Sequence, residues 1–261
     1  MADFLMRDDA PLSAEGWEKL DQVVVGVARK LLVGRRFIEL TGPLGVGTQT
    51  VPLLTVSSEG DMTMVTERTF LTLKLIQRDF MLSWLDVEAA QKQGLPLELG
   101  PAAAASTACA RAEDEMIFQG LLSAEGRHTV ALADWGEPGQ ALENVVSATE
   151  ALVADDFFGP FALVLSPALY AKTQRVARGM GRLVGKLLRD VAEGGVFRSP
   201  LLAADQGLVV SQGAHNLDLV VGQDLITAYL GPEEMDHRFR VLESLALRIK
   251  RPGAICTLEK K

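Results

Sequence analysis

Residues 112–120, AEDEMIFQG, end the most clearly helical stretch of the chain. The stretch begins at Pro101, a residue that is favoured at the first position of a helix, and Gly120 predicts its end. Small and apolar side chains recur on one face: Ala105, Ala108, Cys109, Ala112, Met116 and the Ile117/Phe118 pair. So many alanines predict a helix that packs closely against another backbone layer.

Three consecutive carboxylates, Glu113, Asp114 and Glu115, lie within this helix. Neighbouring side chains on a helix point roughly 100° apart, so the three cannot converge on one proton or one metal ion. They predict a solvated helix face with ordinary ion pairs. An ion pair with a neighbouring subunit is the alternative.

The residues before Pro101 predict a helix, a strand and an extended arm. Ser13 opens an amphipathic helix to about Leu32, with an apolar stripe of Trp17, Leu20, Val24, Val27 and Leu31. A short strand, Phe37–Leu40, stops at Gly42-Pro43. Residues 48–68 place Gly, Ser and Thr between short apolar pieces, which predicts a two-stranded arm. A hairpin alone is marginally stable in water, so the arm needs a surface to lie on.

Alternating elements are predicted for the rest of the chain, which gives an α+β fold. A long strand at Thr69–Leu82 and a short helix at Trp84–Gln93 are predicted before Pro101. From Leu121 onward the sequence pattern changes to alternating helices and strands. The later helices are predicted at about residues 140–153, 167–178 and 183–193. The later strands are predicted at 161–165, 208–210, 217–221 and 225–229, and a β-rich tail at 239–258.

The composition is that of a globular protein with an acidic balance. The chain has 261 residues, 48% of them hydrophobic, and a formal charge of −8, which does not suit a phosphate backbone and argues against nucleic-acid partners. Cys109 and Cys256 lack metal-type spacing and read as buried small hydrophobes, which fits a reducing cytoplasm. No signal peptide and no membrane-spanning apolar run is visible.

Each candidate catalytic or metal motif lacks a residue or a spacing that its chemistry requires. The loop from Gly42 to Thr48 has phosphate-loop spacing, but no Lys follows Gly47, so a structural turn is predicted. The histidines, at 128, 215 and 237, are isolated and are predicted to lie in surface loops, so no metal site is expected. No serine has a Gly-x-Ser-x-Gly context.

Six segments, spread in order along the chain, resemble encapsulin shell proteins, which share the major-capsid fold of tailed bacteriophages. They are Ala10–Leu12 ahead of Trp17, Gly34–Phe37 running into Gly42-Pro43, Ala112–Gly120, Gly159–Leu165, Gly222–Leu225 and Pro252–Cys256. The resemblance implies a discontinuous peripheral domain (1–47, 69–121 and 227–261), an extended arm (48–68) and an axial domain (122–226).

The resemblance also implies the function. The protein is then not an enzyme but a shell subunit that self-assembles, with about 60 copies or more, into an icosahedral cage. The cage would lie in the cytoplasm and enclose a peroxidase- or ferritin-like cargo enzyme that carries a short targeting peptide. A phage or prophage major capsid protein is the alternative, and an isolated hydrolase is a distant third.

Three sets of site residues follow from the family. The cargo dock would consist of Trp17, Leu20, Val24, Val27, Leu32, Arg35, Phe37 and Glu39. Trp17 and Leu20 could equally pack on their own subunit. The pore at the fivefold axis would be lined by Arg178, Gly179, Met180, Gly181 and Arg182, and either arginine could instead pair with an acid such as Asp190. Trp84 lies near the position where some relatives stack a flavin; no other cofactor is expected.

Overall fold

The computed structural model describes residues 4–59, 62–176 and 181–260, with backbone only at 57–59. Its helices are α1 (Ala14–Leu31), α2 (Trp84–Gln93), α3 (Gly100–Ser123), α4 (Gln140–Ala154), α5 (Pro167–Thr173) and α6 (Val184–Val191). Its strands are β1 (Glu39–Thr41), β2 (Thr50–Glu59), β3 (Met62–Thr72), β4 (Lys74–Leu82), β5 (His128–Ala131), β6 (Phe161–Leu165), β7 (Gly195–Arg198), β8 (Gln206–Ser211), β9 (Leu217–Glu233), β10 (Asp236–Ile249) and β11 (Ile255–Glu259). The predicted α+β class is confirmed.

The first layer pairs α1 and α3 with a four-stranded sheet in the order β1-β9-β10-β4. Small residues on α3 let α1 approach, and the Ser106 hydroxyl donates to the carbonyl of Val24 at 2.6 Å. An aromatic cluster fills the space above the sheet, where the Phe239 ring lies 5.7 Å from Trp17 and 5.4 Å from Phe80. The helix does not end at Gly120 as predicted. That glycine instead gives room to Leu247, whose Cδ2 would lie 2.7 Å from an added Cβ.

The second layer is a five-stranded sheet in the order β5-β11-β8-β6-β7, against which α4 and α6 pack. Its separate core includes Trp135, Leu152, Leu163, Leu188 and Val209. β11 lies between β5 and β8, so the last strand of the chain belongs to this sheet. The division of the chain into peripheral domain, arm and axial domain stays a prediction.

The predicted arm is present as the hairpin β2–β3, which forms a sheet of its own. It is longer than predicted, because the expected strand Thr69–Leu82 is broken at Leu73. Leu73 is buried with Val51, Val220 and Ala246, and this contact anchors the root of the arm to the body. A new strand, β4, begins at Lys74. The side chain of Leu75 is therefore exposed, whereas that of Leu73 is buried.

Other boundaries differ where a neighbouring element decides them. Phe37 and Ile38 follow the short 3₁₀ turn Gly34–Arg36 and precede β1. Leu31 is exposed, and Ala28 takes its place in the buried stripe of α1. The two strands predicted around Gly222 form one continuous strand, β9, with register shifts against β10. The helix predicted to reach Arg178 ends at Thr173, so α5 is short.

Two glycines give a matched test of the backbone. Gly42 has a φ of 122°, and a Cβ there would collide with the Val221 carbonyl oxygen, whereas a Cβ on Gly26 of α1 meets nothing within 4 Å. We expect Gly42→Ala to lower the free energy of unfolding by about 1–3 kcal/mol. Gly26→Ala should raise it by about 0.5–1 kcal/mol, because alanine has the higher helix propensity. Urea unfolding measures the free energy of unfolding of both variants. Equal changes in the two would contradict the different roles given to Gly42 and Gly26.

Candidate functional site

The N-terminal helix is fixed to the body by one face. The Ser13 hydroxyl caps it by accepting from the Gly16 N–H at 3.1 Å. Leu20, Val24 and Ala28 are buried. The segment before it is also held, because the Tyr229 N–H donates to the Leu5 carbonyl and the Arg7 Nε donates to the Thr227 carbonyl. The opposite face of α1 is therefore the one that remains open.

Most of the predicted cargo-dock residues pack inside their own subunit. Trp17, Leu20, Val24, Leu32 and Phe37 are buried, Val27 and Arg35 are half-buried, and Glu39 is exposed. A peptide could reach Leu20 or Val24 only if α1 moved away from α3. Phe37 lies between Phe118 and Phe197, with ring centroids 6.4 and 5.8 Å away. The role of the whole set in cargo binding stays a prediction.

The open face of α1 carries a groove of about 970 Å³. Arg7 lies at one end, where its guanidinium forms two hydrogen bonds of 2.7 and 2.8 Å with the Asp21 carboxylate and sits 4.4 Å above the Trp17 ring. Asp21, Val25 and Arg29 follow one another along the groove. Sequence reasoning missed these three residues, although their spacing of four places them on one helix face.

Two smaller depressions continue the groove beyond the end of α1. One, of about 320 Å³, shares Val25 and Arg29 with the groove and includes Leu32 and Arg35. The next, of about 280 Å³, shares Arg35 and also includes Phe37 and Glu39. The groove and the two depressions, which we call the track, follow one another from the N-terminal segment to Glu39, and each shares lining residues with the next.

Arg35, at the middle of this track, is the centre of a buried charge cluster. Its Nε and Nη2 donate to both carboxylate oxygens of Glu113 at 2.8 Å, its Nη2 donates to Glu243 at 2.9 Å, and its Nη1 donates to Asp224 at 2.7 Å. Glu113 and Glu243 are completely or almost completely buried. The cluster joins the turn after α1 to α3, β9 and β10.

The solvated face predicted for Glu113–Glu115 is therefore wrong for two of the three residues. Asp114 is buried and accepts the backbone N–H groups of Val33 and Gly34 at 2.8 and 2.9 Å. Only Glu115 is exposed, where it pairs with Arg111 of the preceding turn. The reason is that Glu113 and Asp114 meet partners on distant segments that lie over α3.

Burial changes the protonation of the cluster. It raises the pKa of Glu243 to about 9 together with the neighbouring Glu113 carboxylate, although the Arg35 guanidinium acts in the opposite direction. It also raises the pKa of Asp114 to about 6, against the effect of the two N–H groups that the carboxylate accepts. Although burial opposes the charged form of Arg35, its bonds to Glu113 and Asp224 raise its pKa above the usual value. Near neutral pH, Glu243 is therefore neutral beside a charged Arg35.

The predicted pore residues are described only in part. Arg178, Gly179 and Met180 lie outside the described residues, whereas Gly181 has a φ of 60°, in the left-handed region. Arg182 pairs with Asp190 of the same subunit at 3.3 Å, and both side chains stay more than half exposed. The alternative of an ion pair with Asp190 is therefore confirmed for Arg182. The pore role stays a prediction.

Trp84 opens α2 and is half-buried, and its backbone N–H donates to the Asp236 carboxylate at 3.0 Å. Flavin binding at Trp84 stays a prediction.

The other polar candidates serve the fold. The Leu44 and Gly45 N–H groups donate to the carbonyls of Val221 and Gly222, which confirms the loop as a structural turn. Both cysteines are buried free thiols, as predicted. Burial raises the pKa of Cys109 to about 12 and that of Cys256 to about 11.

Two of the histidines lie in strands and not in the surface loops predicted for them. His128 lies in β5, and His237 lies in β10 beside Tyr229, so neither is in a loop; each is fixed by strand pairing. His215 is exposed between strands, as expected. In the part of the chain that the structure describes, no group of three His, Cys, Asp or Glu could hold a metal ion. Over the same residues, no helix is long and apolar enough to cross a membrane.

Comparison with known proteins assigns the family. Residues 2–246 match the family model described as encapsulating protein for peroxidase. The chain is 43% identical, over 99% of its length, to the Type 1 encapsulin shell protein EncA of Myxococcus xanthus, of which it covers 97%. It therefore belongs to the encapsulin family. It is also 39% identical, over 95% of its length, to a diheme-cytochrome-encapsulin shell fusion protein of Kuenenia stuttgartiensis, of which it covers 74%.

Solved structures agree with this encapsulin assignment. The virus-like particle of Pyrococcus furiosus superposes with a TM-score of 0.83 at 25% identity, covering 94% of this chain and 100% of that one. The capsid of Myoviridae phage XM1 gives 0.60 at 12% identity, covering 86% and 90%, which shows the shared fold alone. The predicted capsid-like fold is confirmed. The protein is a shell subunit, not an enzyme, and the phage alternative is less supported.

The buried Glu243 predicts a pH dependence of stability. A pKa raised in the folded state means that the folded protein holds the proton more tightly, so stability falls as the pH rises from about 4.5 to about 9. Glu243→Gln removes this titration but keeps a neutral side chain of similar size. We expect the stability of the wild type relative to Glu243→Gln to fall with pH, by at most about 1.4 kcal/mol per pH unit. Urea unfolding from pH 5 to 9.5 measures it, and parallel curves would refute the protonated state.

Proposed function

We propose that this encapsulin subunit assembles into a closed icosahedral shell, most simply of about 60 copies. Full-length similarity to the M. xanthus shell protein supports it, as does the superposition on a P. furiosus particle. Sixty subunits of 28.1 kDa give a particle of about 1.7 MDa, which light scattering distinguishes from a free subunit. The shell encloses a cargo enzyme, in line with the family description and with the fusion of a shell protein to a cytochrome in K. stuttgartiensis.

The observation that carries the assembly proposal is the arm. Val56, Val65 and Phe70 are more than half exposed on a two-stranded sheet that is attached to the body at its root. Cross-strand pairing places Val56 opposite Val65 and Phe70 opposite Pro52, so these side chains share one face. A two-stranded sheet with an apolar face is marginally stable in water, and a neighbouring subunit would cover that face.

Shortening the arm should therefore abolish the particle and keep the subunit folded. Residues 53–69 are replaced by Asn-Gly, a turn that closes a hairpin between Pro52 and Phe70 and keeps the anchored root. We expect light scattering to give the mass of a single subunit, a little below the 28.1 kDa of the full chain, with a nearly unchanged far-ultraviolet circular dichroism spectrum. Glu67→Gln in the full-length arm is the control and should assemble. Normal particles from the shortened arm would refute the proposal.

We propose that the cargo peptide binds along the track from Arg7 to Glu39. Its apolar side chains would contact Trp17, Val25 and Leu32. A few apolar anchors with a polar rim are the usual basis of peptide recognition. We further propose that the turn containing Gly181 and Arg182 lines a shell pore.

Changes on the open face of α1 should separate cargo binding from assembly. Val25→Asp combined with Arg29→Glu places acidic groups in the track without touching the buried stripe, so we expect intact shells that have lost most of their cargo. Leu31→Asp is the matched control, because Leu31 is 43% exposed on the same helix but lines none of the three depressions. Mass spectrometry of co-purifying proteins measures the loss. Equal cargo content in all three proteins would rule out the track.

A further inference from the structure

A cavity of about 730 Å³ lies under the arm, and we call it the arm groove. Its roof is the apolar face of β2, formed by Pro52, Leu54 and Val56. Its floor is the basic end of β10 and the residues after it, formed by Arg248, Lys250 and Arg251. The groove is thus apolar on one side and positively charged on the other.

The positive charge of the floor is only partly neutralised, and its side chains are held in place. The buried Asp218 carboxylate accepts from Arg248 at 2.6 and 2.9 Å and lies 3.4 Å from Lys250. The Arg251 guanidinium stacks 4.3 Å above the Phe157 ring. Arg248 and Lys250 share the one carboxylate of Asp218, and Arg251 adds a third cation, so the floor carries a local positive excess in a chain of net charge −8. Such a groove fits a segment that combines an apolar side chain with carboxylates.

The turn between β9 and β10 has this chemistry. Glu233, Glu234 and Met235 lie at its apex, and Met235 is 62% exposed. Arg238 neutralises Glu233 at 2.9 Å, whereas Glu234 is exposed and forms no ion pair within the described ranges. Glu234 has a φ of 57°, which turns the chain sharply and presents Glu234 and Met235 at the tip.

We propose that the β9–β10 turn of one subunit inserts into the arm groove of a second subunit. Within one chain the two cannot meet, because Asp236 and Arg248 lie at opposite ends of β10, about 40 Å apart at 3.3 Å per residue. The contact joins two different surfaces, and such contacts close into rings or continue from copy to copy. This inference rests on the proposed shell and names one of its contacts.

Charge reversal tests the electrostatic part of the contact. Glu234→Lys and Lys250→Glu should each raise the subunit concentration needed for assembly by at least about tenfold, because every copy makes the contact. The double variant restores the opposite charges and should recover assembly. Glu150→Lys, an exposed change of the same charge on α4, is the control and should assemble as the wild type does. Unchanged assembly of both single variants would overturn the proposal.

Cysteine crosslinking tests the apolar part without altering charge. Met235→Cys combined with Val56→Cys should give a ladder of disulfide-linked subunits on oxidation of assembled particles, and neither single variant should. Cys109 and Cys256 are buried and do not interfere. Particles without a ladder, together with unaffected charge-reversal variants, would overturn the groove contact alone. If the wild type forms no particle, the shell proposal fails first.

Discussion

The position of one guanidinium group holds the first layer together, the one formed by α1, α3 and the four-stranded sheet. Arg35 stands in a turn between α1 and β1, yet its partners Glu113, Asp224 and Glu243 belong to α3, β9 and β10. A buried charge is costly unless it is fully paired, so the four elements keep one mutual arrangement. Asp114 extends the constraint by capping the N–H groups of the same turn. The end of α1, and with it the track along its open face, is thereby fixed in place.

Other buried acidic and sulfur-containing groups of the described residues are likewise held between elements of the fold. Glu113, Asp114, Asp218 and Glu243 are each held by arginines or by backbone N–H groups. Cys109 lies under the sheet as a thiol. Each such group stabilises a junction between elements, which suits a protein that works through its contacts. Among the open surfaces of the described residues are the face of α1, the apolar face of the arm and the groove beneath it.

Local patterns predicted the elements, and long-range contacts decided the rest. The bounds of α2 and β6 agree with the sequence prediction because the signals are local: Gly94 ends α2 in the left-handed region, and β6 is a single apolar run. The burial of Glu113 was missed because Arg35 lies 78 residues away along the chain. A signal was nevertheless present: Glu113 stands between Cys109 and Ile117 at steps of four, directly on the apolar stripe. A carboxylate in such a position is better read as one half of a buried pair.

The arm also has a consequence for the time before assembly. Each of its two strands pairs with the other and presents its outer N–H and C=O groups along an edge. Unpaired edges next to apolar side chains are templates for unwanted strand pairing between chains. The bulge between Thr55 and Val56 twists the hairpin and makes such pairing less regular. Newly made subunits are thus most prone to aggregate while they are free, which favours fast incorporation over a standing pool of monomer.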